Sequence, residues 1–226
     1  MNRLSVLALR SFSGVGPVDP WSPETALLII DMQNRLVRPD GFTSRRLRER
    51  GLEEADRQYQ AQMRVAIMNM GRLLDRARRE AVTIVHVRTT PIPGASGFAV
   101  TGKPTVEDLA IIEELTPAPG ELVIEKACSG AFAGTNIDYM LRRLGARSIV
   151  VTGCVTDGCV EQAIRQGHDL GYGTVLVSDA TAALTDEVHA NALQRLEHRR
   201  AHVLSTETLL TEHHITATTI EVPARF

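Results

Sequence analysis

Short, unbroken apolar runs alternate along this chain with longer amphipathic stretches. Ala26-Leu-Leu-Ile-Ile30 is apolar at every position and stops at Asp31, the pattern of a strand buried on both faces of a parallel sheet. Residues 58–80 change period: Met63, Ile67, Met70, Leu73, Leu74 and Ala77 fall on one helical face. Val82–Val87 predicts a second strand and Leu122–Ile124 a third that ends near Lys126. Between them, residues 89–104 carry Pro91, Pro93, Gly94, Gly97, Gly102 and Pro104 and predict a loop, with a short helical piece over 105–115 and a turn at Pro117–Gly120. Thr135–Leu144 predicts a helix capped by Gly145, and Ser148–Thr152 a fourth strand. Thr156 or Asp157 caps a helix running to about Leu170. Thr174–Val177 predicts a fifth strand, 186–200 a helix, and Val203–Leu204 a short sixth strand.

This succession predicts an α/β fold: a doubly wound, three-layer α/β/α arrangement around a mostly parallel sheet. No internal repeat or second domain boundary is visible. The expected division is an extended arm over 1–22, one domain over 23–212 and a tail over 213–226. Residues 39–57, rich in Arg and Glu, lack a clear core pattern and are a candidate lid or subunit-contact segment.

Composition narrows the classes. Of 226 residues, 43% are apolar and 23% charged, close to the average for a globular domain, so disorder over the whole chain is excluded. A formal net charge of −2 gives no electrostatic case for nucleic acid as the main partner; the basic runs near Arg45–Arg50 and Arg76–Arg79 read as solvated faces or helix flanks. No stretch approaches a membrane span, and the apolar patch Leu4–Leu9 lacks a signal-peptide core and cleavage site. Three cysteines are too few for a disulfide framework, and the expectation is a reducing, cytoplasmic setting.

In open parallel sheets the ligand crevice lies beyond the carboxyl ends of the strands. Asp31 follows the first strand, Lys126 the third, and Cys159 lies in the first turn of the helix after the fourth. A carboxylate, an ammonium and a thiol meeting there suit acyl transfer. Cys159 is the candidate nucleophile, its thiolate favoured by the helix dipole and by Lys126. Asp31 is the candidate base and then acid toward the leaving nitrogen. The tight turn from Gly153 to Gly158 suggests Val155 and Cys159 N–H groups as oxyanion donors. Singly, each residue has an ordinary reading: a strand-end cap, a solvated lysine, a small buried thiol. Cys128 and Cys154 keep that last reading.

Other patterns carry less. Gly153–Gly158 has the outline of a phosphate loop, but Cys159 stands where its lysine belongs; Gly14-Val-Gly16 lacks a preceding strand. His198 and His202 are predicted on different elements, His213 and His214 lie in the tail, and no histidine cluster has metal-site spacing. With Cys154 and Cys159 five positions apart, no Cys-x-x-Cys motif supports a thiol redox protein.

Leu28-Ile-Ile-Asp31-Met-Gln33-Asn34 resembles the opening motif of the isochorismatase-like cysteine hydrolases. Val151-Thr-Gly-Cys-Val-Thr-Asp-Gly-Cys159-Val resembles their nucleophile motif, and Lys126 with Ser129-Gly-Ala-Phe132 and Thr135-Asn136 their lysine segment. Ser178-Asp179-Ala180 also fits, and the resemblance covers about residues 24–210. It implies a catalytic triad of Asp31, Lys126 and Cys159, a cis peptide between Cys154 and Val155, a six-stranded sheet, no cofactor, and a homodimer or homotetramer. The absence of histidine over 35–60 argues against the metal-dependent nicotinamidase branch. The lysine segment is most similar to members acting on ureido or carbamoyl compounds such as N-carbamoylsarcosine, ureidoacrylate, biuret or triuret. A small polar amide or ureide is therefore the expected partner, with Gln33, Asn34, Arg88, Ser129 and Thr135 as candidate polar contacts and Phe42 and Phe132 as walls. The alternatives are a nicotinamidase-like or maleamate-type amidase and a non-catalytic binding protein on the same fold.

Overall fold

A computed structural model describes residues 16–91, 103–197, 200–212 and 214–215. Six strands form one sheet: β1 (Thr25–Ile30), β2 (Thr83–Thr89), β3 (Leu122–Lys126), β4 (Ser148–Cys154), β5 (Gly173–Ala182) and β6 (His202–Leu204). Every pairing is parallel and the order is β3-β2-β1-β4-β5-β6. The chain winds outward from β1 to β3, crosses back to β4 beside β1, and winds outward again. The β1–β4 boundary is thus the switch point, where the crevice of such sheets opens.

The unbroken apolar run of β1 is explained by burial on both faces. Leu27 and Ile29 enter one core with Met63, Met70, Leu73 and Leu74, while Ala26, Leu28 and Ile30 enter the other with Ile137, Leu141, Ala163 and Ile164. On the first face, after a short α1 (Asn34–Val37) and α2 (Phe42–Arg48), lies α3 (Glu53–Arg79). After α4 (Val106–Leu109), the second face carries α5 (Ile137–Arg143), α6 (Glu161–Asp169) and α7 (Asp186–Glu197); α8 (Thr206–Thr211) returns to the first.

The structure departs from the sequence expectations at several element boundaries. Helix α3 begins at Glu53, earlier than its apolar stripe, because Glu53, Glu54 and Asp56 complement the dipole in its first turn. Segment 39–57 is therefore largely helical, and its inner side packs on α3: Gln60 Nε2 donates to Ser44 Oγ at 2.8 Å and Arg48 pairs with Asp56 at 2.6 Å. Strand β5 runs ten residues, past the apolar core of the prediction. Its polar end is held because Asp179 Oδ1 accepts the Thr206 N–H and hydroxyl at the start of α8, 2.7 Å each. The boundaries at 22/23 and 212/213 cut through packed structure. Val18 and Ile215 pair as an antiparallel bridge, and Trp21 Nε1 donates to Leu209 O at 2.9 Å. All three apolar side chains join the core against α3.

No helix among the described residues is long and apolar enough to cross a membrane. His86, His189 and His202 are each held below the ordinary histidine value near 6.5, in every case chiefly by burial. A lowered folded value means that the unfolded chain binds more protons, so this stabilisation is complete above about pH 6.5 and is lost as pH falls through the folded values. The thermal unfolding midpoint is expected to drop between pH 7 and pH 5; an unchanged midpoint would contradict the neutral, buried histidines.

Candidate active site

Three adjacent strand ends supply the site. Asp31 leaves β1 with a left-handed φ of 57°, its N–H donating to Val87 O at 2.7 Å. This brief reversal turns its carboxylate across the ends of β2 and β3. Gln33 holds the turn: its Nε2 donates to Thr89 O at 3.0 Å and Leu109 O at 2.8 Å, and its Oε1 accepts the Thr89 N–H at 2.9 Å. Thr89 ends β2 and is the direct neighbour of Lys126, the last residue of β3.

Lys126 Nζ lies 2.7 Å from Asp31 Oδ2, 2.7 Å from Thr89 Oγ1, 3.0 Å from Cys128 O and 3.3 Å from Cys159 Sγ. The ion-paired side chains are 0% and 2% exposed. Thr89 Oγ1 also donates to Asp31 Oδ1 at 2.9 Å. The thiol, the amine and the carboxylate named from the sequence therefore share one cluster, and Cys159 is only half-buried.

The cysteine arrives on a tight turn, not on a regular first helical turn. The Cys154–Val155 peptide is cis. Over Thr156–Val160 the backbone kinks at Gly158 (φ −119°, ψ −105°), and the Gly158 and Val160 N–H groups both donate to Val155 O. Gly153 allows this approach: at its φ of +115°, an added Cβ would lie 2.1 Å from Ile30 O of the neighbouring strand. Thr156 Oγ1 sits 2.8 Å from His189 Nδ1, tying the turn to α7, and Cys154 Sγ donates to Asp31 O at 3.4 Å.

The electrostatics correct one expectation. Burial, reinforced by the Asp31 charge, pushes the Cys159 thiol up to about 12 against the opposing pull of Lys126. The thiol is therefore protonated at rest, because burial and the Asp31 charge outweigh the pull of Lys126. Lys126 is raised: burial disfavours its charge, but Asp31 and Cys159 outweigh that cost. The cluster thus sets a neutral thiol beside the buried Lys126–Asp31 pair. Cys154, also pushed up by burial, is inert.

The expected substrate contacts fare unevenly. Gln33 is fully buried, with both amide hydrogens on backbone carbonyls. Asn34 spends its amide on Glu107 and accepts from Arg38. Arg88 alternates with Thr89 and so projects from the opposite face of the sheet, where it pairs with Glu125. Thr135 Oγ1 donates to Ala131 O at 2.7 Å and accepts the Ile137 N–H, shaping the entry to α5. Phe132 packs in the core with its ring 5.8 Å from Tyr172, and Phe42 lies under the Arg35 guanidinium at 4.7 Å. Ser129 is half-buried beside the Cys128 carbonyl that receives Lys126. Thr89 was missed because its Thr-Thr-Pro context read as loop; the strand-end rule applied to the second strand would have found it. Among the described residues no group of three His, Cys, Asp or Glu is placed to hold a metal ion.

The fold is a parallel doubly wound sheet with a Cys-Lys-Asp cluster at its switch point. Residues 25–208 match the isochorismatase domain, and the chain belongs to the isochorismatase family. It is 28% identical over 198 residues to the uncharacterized isochorismatase family protein YrdC of Bacillus subtilis, covering 83% of this chain and 95% of that one. It is 27% identical to the ureidoacrylate amidohydrolase RutB of Rhizobium rhizogenes, over 73% of each chain. Among solved structures, an isochorismatase-like hydrolase from Alkaliphilus metalliredigens superposes with a TM-score of 0.65 at 26% identity, covering 81% of this chain and 95% of the other. The N-carbamoylsarcosine amidase of Thermoplasma acidophilum shares the fold, with a TM-score of 0.62 at 22% identity over 81% and 97% of the two chains.

The buried ion pair makes an energetic prediction. Replacing Lys126 by Met strands the Asp31 carboxylate in the interior and is expected to lower unfolding stability by about 3 kcal/mol. Adding Asp31→Asn should recover part of that loss, as read by urea unfolding. Additive losses in the double variant would contradict a coupled pair.

Proposed function

We propose that the protein is a cysteine-dependent amidohydrolase that cleaves a C–N bond in a small ureido, carbamoyl or amide compound. The reading is carried by one observation: Cys159 Sγ, Lys126 Nζ and the Asp31 carboxylate meet at the strand ends, with the base in contact with a thiol that is protonated at rest. The amidohydrolase relatives supply the substrate class.

In this mechanism Asp31 takes the thiol proton as Sγ attacks the substrate carbonyl, so the nucleophile is generated only when it is used. Lys126 keeps Asp31 oriented and pairs with the sulfur while it carries charge. The Val155 and Cys159 N–H groups face the tetrahedral oxyanion. Asp31 returns the proton to the departing nitrogen, releasing ammonia or an amine and leaving an acyl group on Cys159. Water, deprotonated by Asp31, then clears the thioester and restores the thiol. Ser129, beside the lysine, is the remaining polar candidate for orienting substrate.

Ammonia release measured on a panel of ureides, N-carbamoyl amino acids, nicotinamide and maleamate tests the reading. Wild-type enzyme is expected to turn over ureido or carbamoyl members of the panel, and Cys159→Ala to lose turnover by about a thousandfold or more while remaining folded. Undiminished turnover by the variant would remove the nucleophile. Preference for nicotinamide or maleamate would reassign the substrate.

A further inference from the structure

We propose that Thr89 is a positioning residue of this site, whose hydroxyl holds the Asp31 carboxylate in place for proton exchange. The inference rests on the nucleophile reading above and adds a fourth side chain to it. Thr89 Oγ1 lies 2.7 Å from Lys126 Nζ and 2.9 Å from Asp31 Oδ1, while Lys126 Nζ lies 2.7 Å from Asp31 Oδ2. The three groups close a ring of hydrogen bonds, and its proton directions are forced. An ammonium has only hydrogens to give and a carboxylate only lone pairs to offer. The hydroxyl must therefore accept from Lys126 and spend its single hydrogen on Oδ1.

That assignment has a chemical consequence. A carboxylate tied at Oδ1 to Thr89 and at Oδ2 to Lys126 is held against rotation. When Asp31 takes the thiol proton, the S–H bond breaks and an O–H bond forms on one carboxyl oxygen. Either hydrogen bond alone would let the carboxylate turn, so the Thr89 hydroxyl keeps its oxygens where the proton is taken up and returned. Thr89 is nearly buried, and its neighbour Gln33 grips both its N–H and its C=O. The hydroxyl thus sits on a fixed strand end, suited to positioning another group.

An activated ester tests this without knowledge of the natural substrate. p-Nitrophenyl acetate acylates a nucleophilic thiol, its leaving group needs no proton, and the burst of p-nitrophenol counts working sites. Turnover per counted site is then independent of any misfolded fraction. For Thr89→Val, which keeps the shape and removes the hydroxyl, kcat per site is expected to fall roughly tenfold or more at an unchanged KM. Thr89→Ser is expected to return kcat to within about threefold of wild type, its hydroxyl restored on a freer rotor. Should the Val variant fail to fold, Thr89→Ala carries the same expectation. A kcat within twofold of wild type in the hydroxyl-free variant, or an equal loss in Thr89→Ser, would overturn the inference. A wild-type protein with no Cys159-dependent burst would overturn the nucleophile reading itself, and this inference with it.

Discussion

A charged pair in the protein interior constrains everything around it. Lys126 and Asp31 lie at the carboxyl ends of β3 and β1, almost wholly out of water. Neither charge is tolerable there alone, because desolvating an ion costs several kcal/mol that only a partner and a full set of hydrogen bonds offset. The surrounding structure supplies that set. Thr89 stands between the two, the Cys128 carbonyl takes a further ammonium hydrogen, and Gln33 fixes the end of β2 that carries Thr89. The parallel sheet places these groups side by side: β2 and β3 end level at Thr89 and Lys126, and Asp31 follows β1 just short of them. Doubly wound topology then brings β4, and with it the nucleophile turn, against the other edge of β1.

The same pair governs the chemistry of the cysteine. An ammonium alone beside a thiol would draw out its proton. Here burial and the Asp31 charge together outweigh that pull and keep the sulfur neutral. In this reading Asp31 moves the proton twice in each half of the cycle, so small errors in its orientation bear directly on rate.

Much of this was legible in the amino-acid sequence, for identifiable reasons. Strands buried on both faces leave unbroken apolar runs, so β1, β2 and β4 stood out, and the residue at each run's end marked the crevice. The contiguous motif around Cys159 singled out the thiol that the structure places beside Lys126. What was hidden depends on features without a local pattern. The polar second half of β5 stays a strand through partners distant in sequence: it pairs with the end of β4, and Asp179 accepts from Thr206 at the start of α8. Val18 and Trp21 look like an unstructured arm until their partners, Ile215 and Leu209, are brought in from the far end of the chain. Substrate contacts were the least legible. Gln33, Asn34 and Thr135 are polar residues beside the motifs, but their hydrogen bonds go to local backbone and neighbouring side chains, and Arg88 is turned away by strand alternation. Thr89 shows the opposite case, a residue that looks like loop and occupies the centre of the ring.

The central claim is that carbon–sulfur bond formation at Cys159 lies on the reaction path. It is tested most directly by quenching the enzyme in acid during turnover of a ureido or carbamoyl substrate, digesting it, and weighing its cysteine peptides. The account predicts an acyl mass increment on the Cys159 peptide, with Cys128 and Cys154 unmodified. Turnover with no increment at Cys159 under conditions that preserve thioesters, or an increment on another residue, would contradict it.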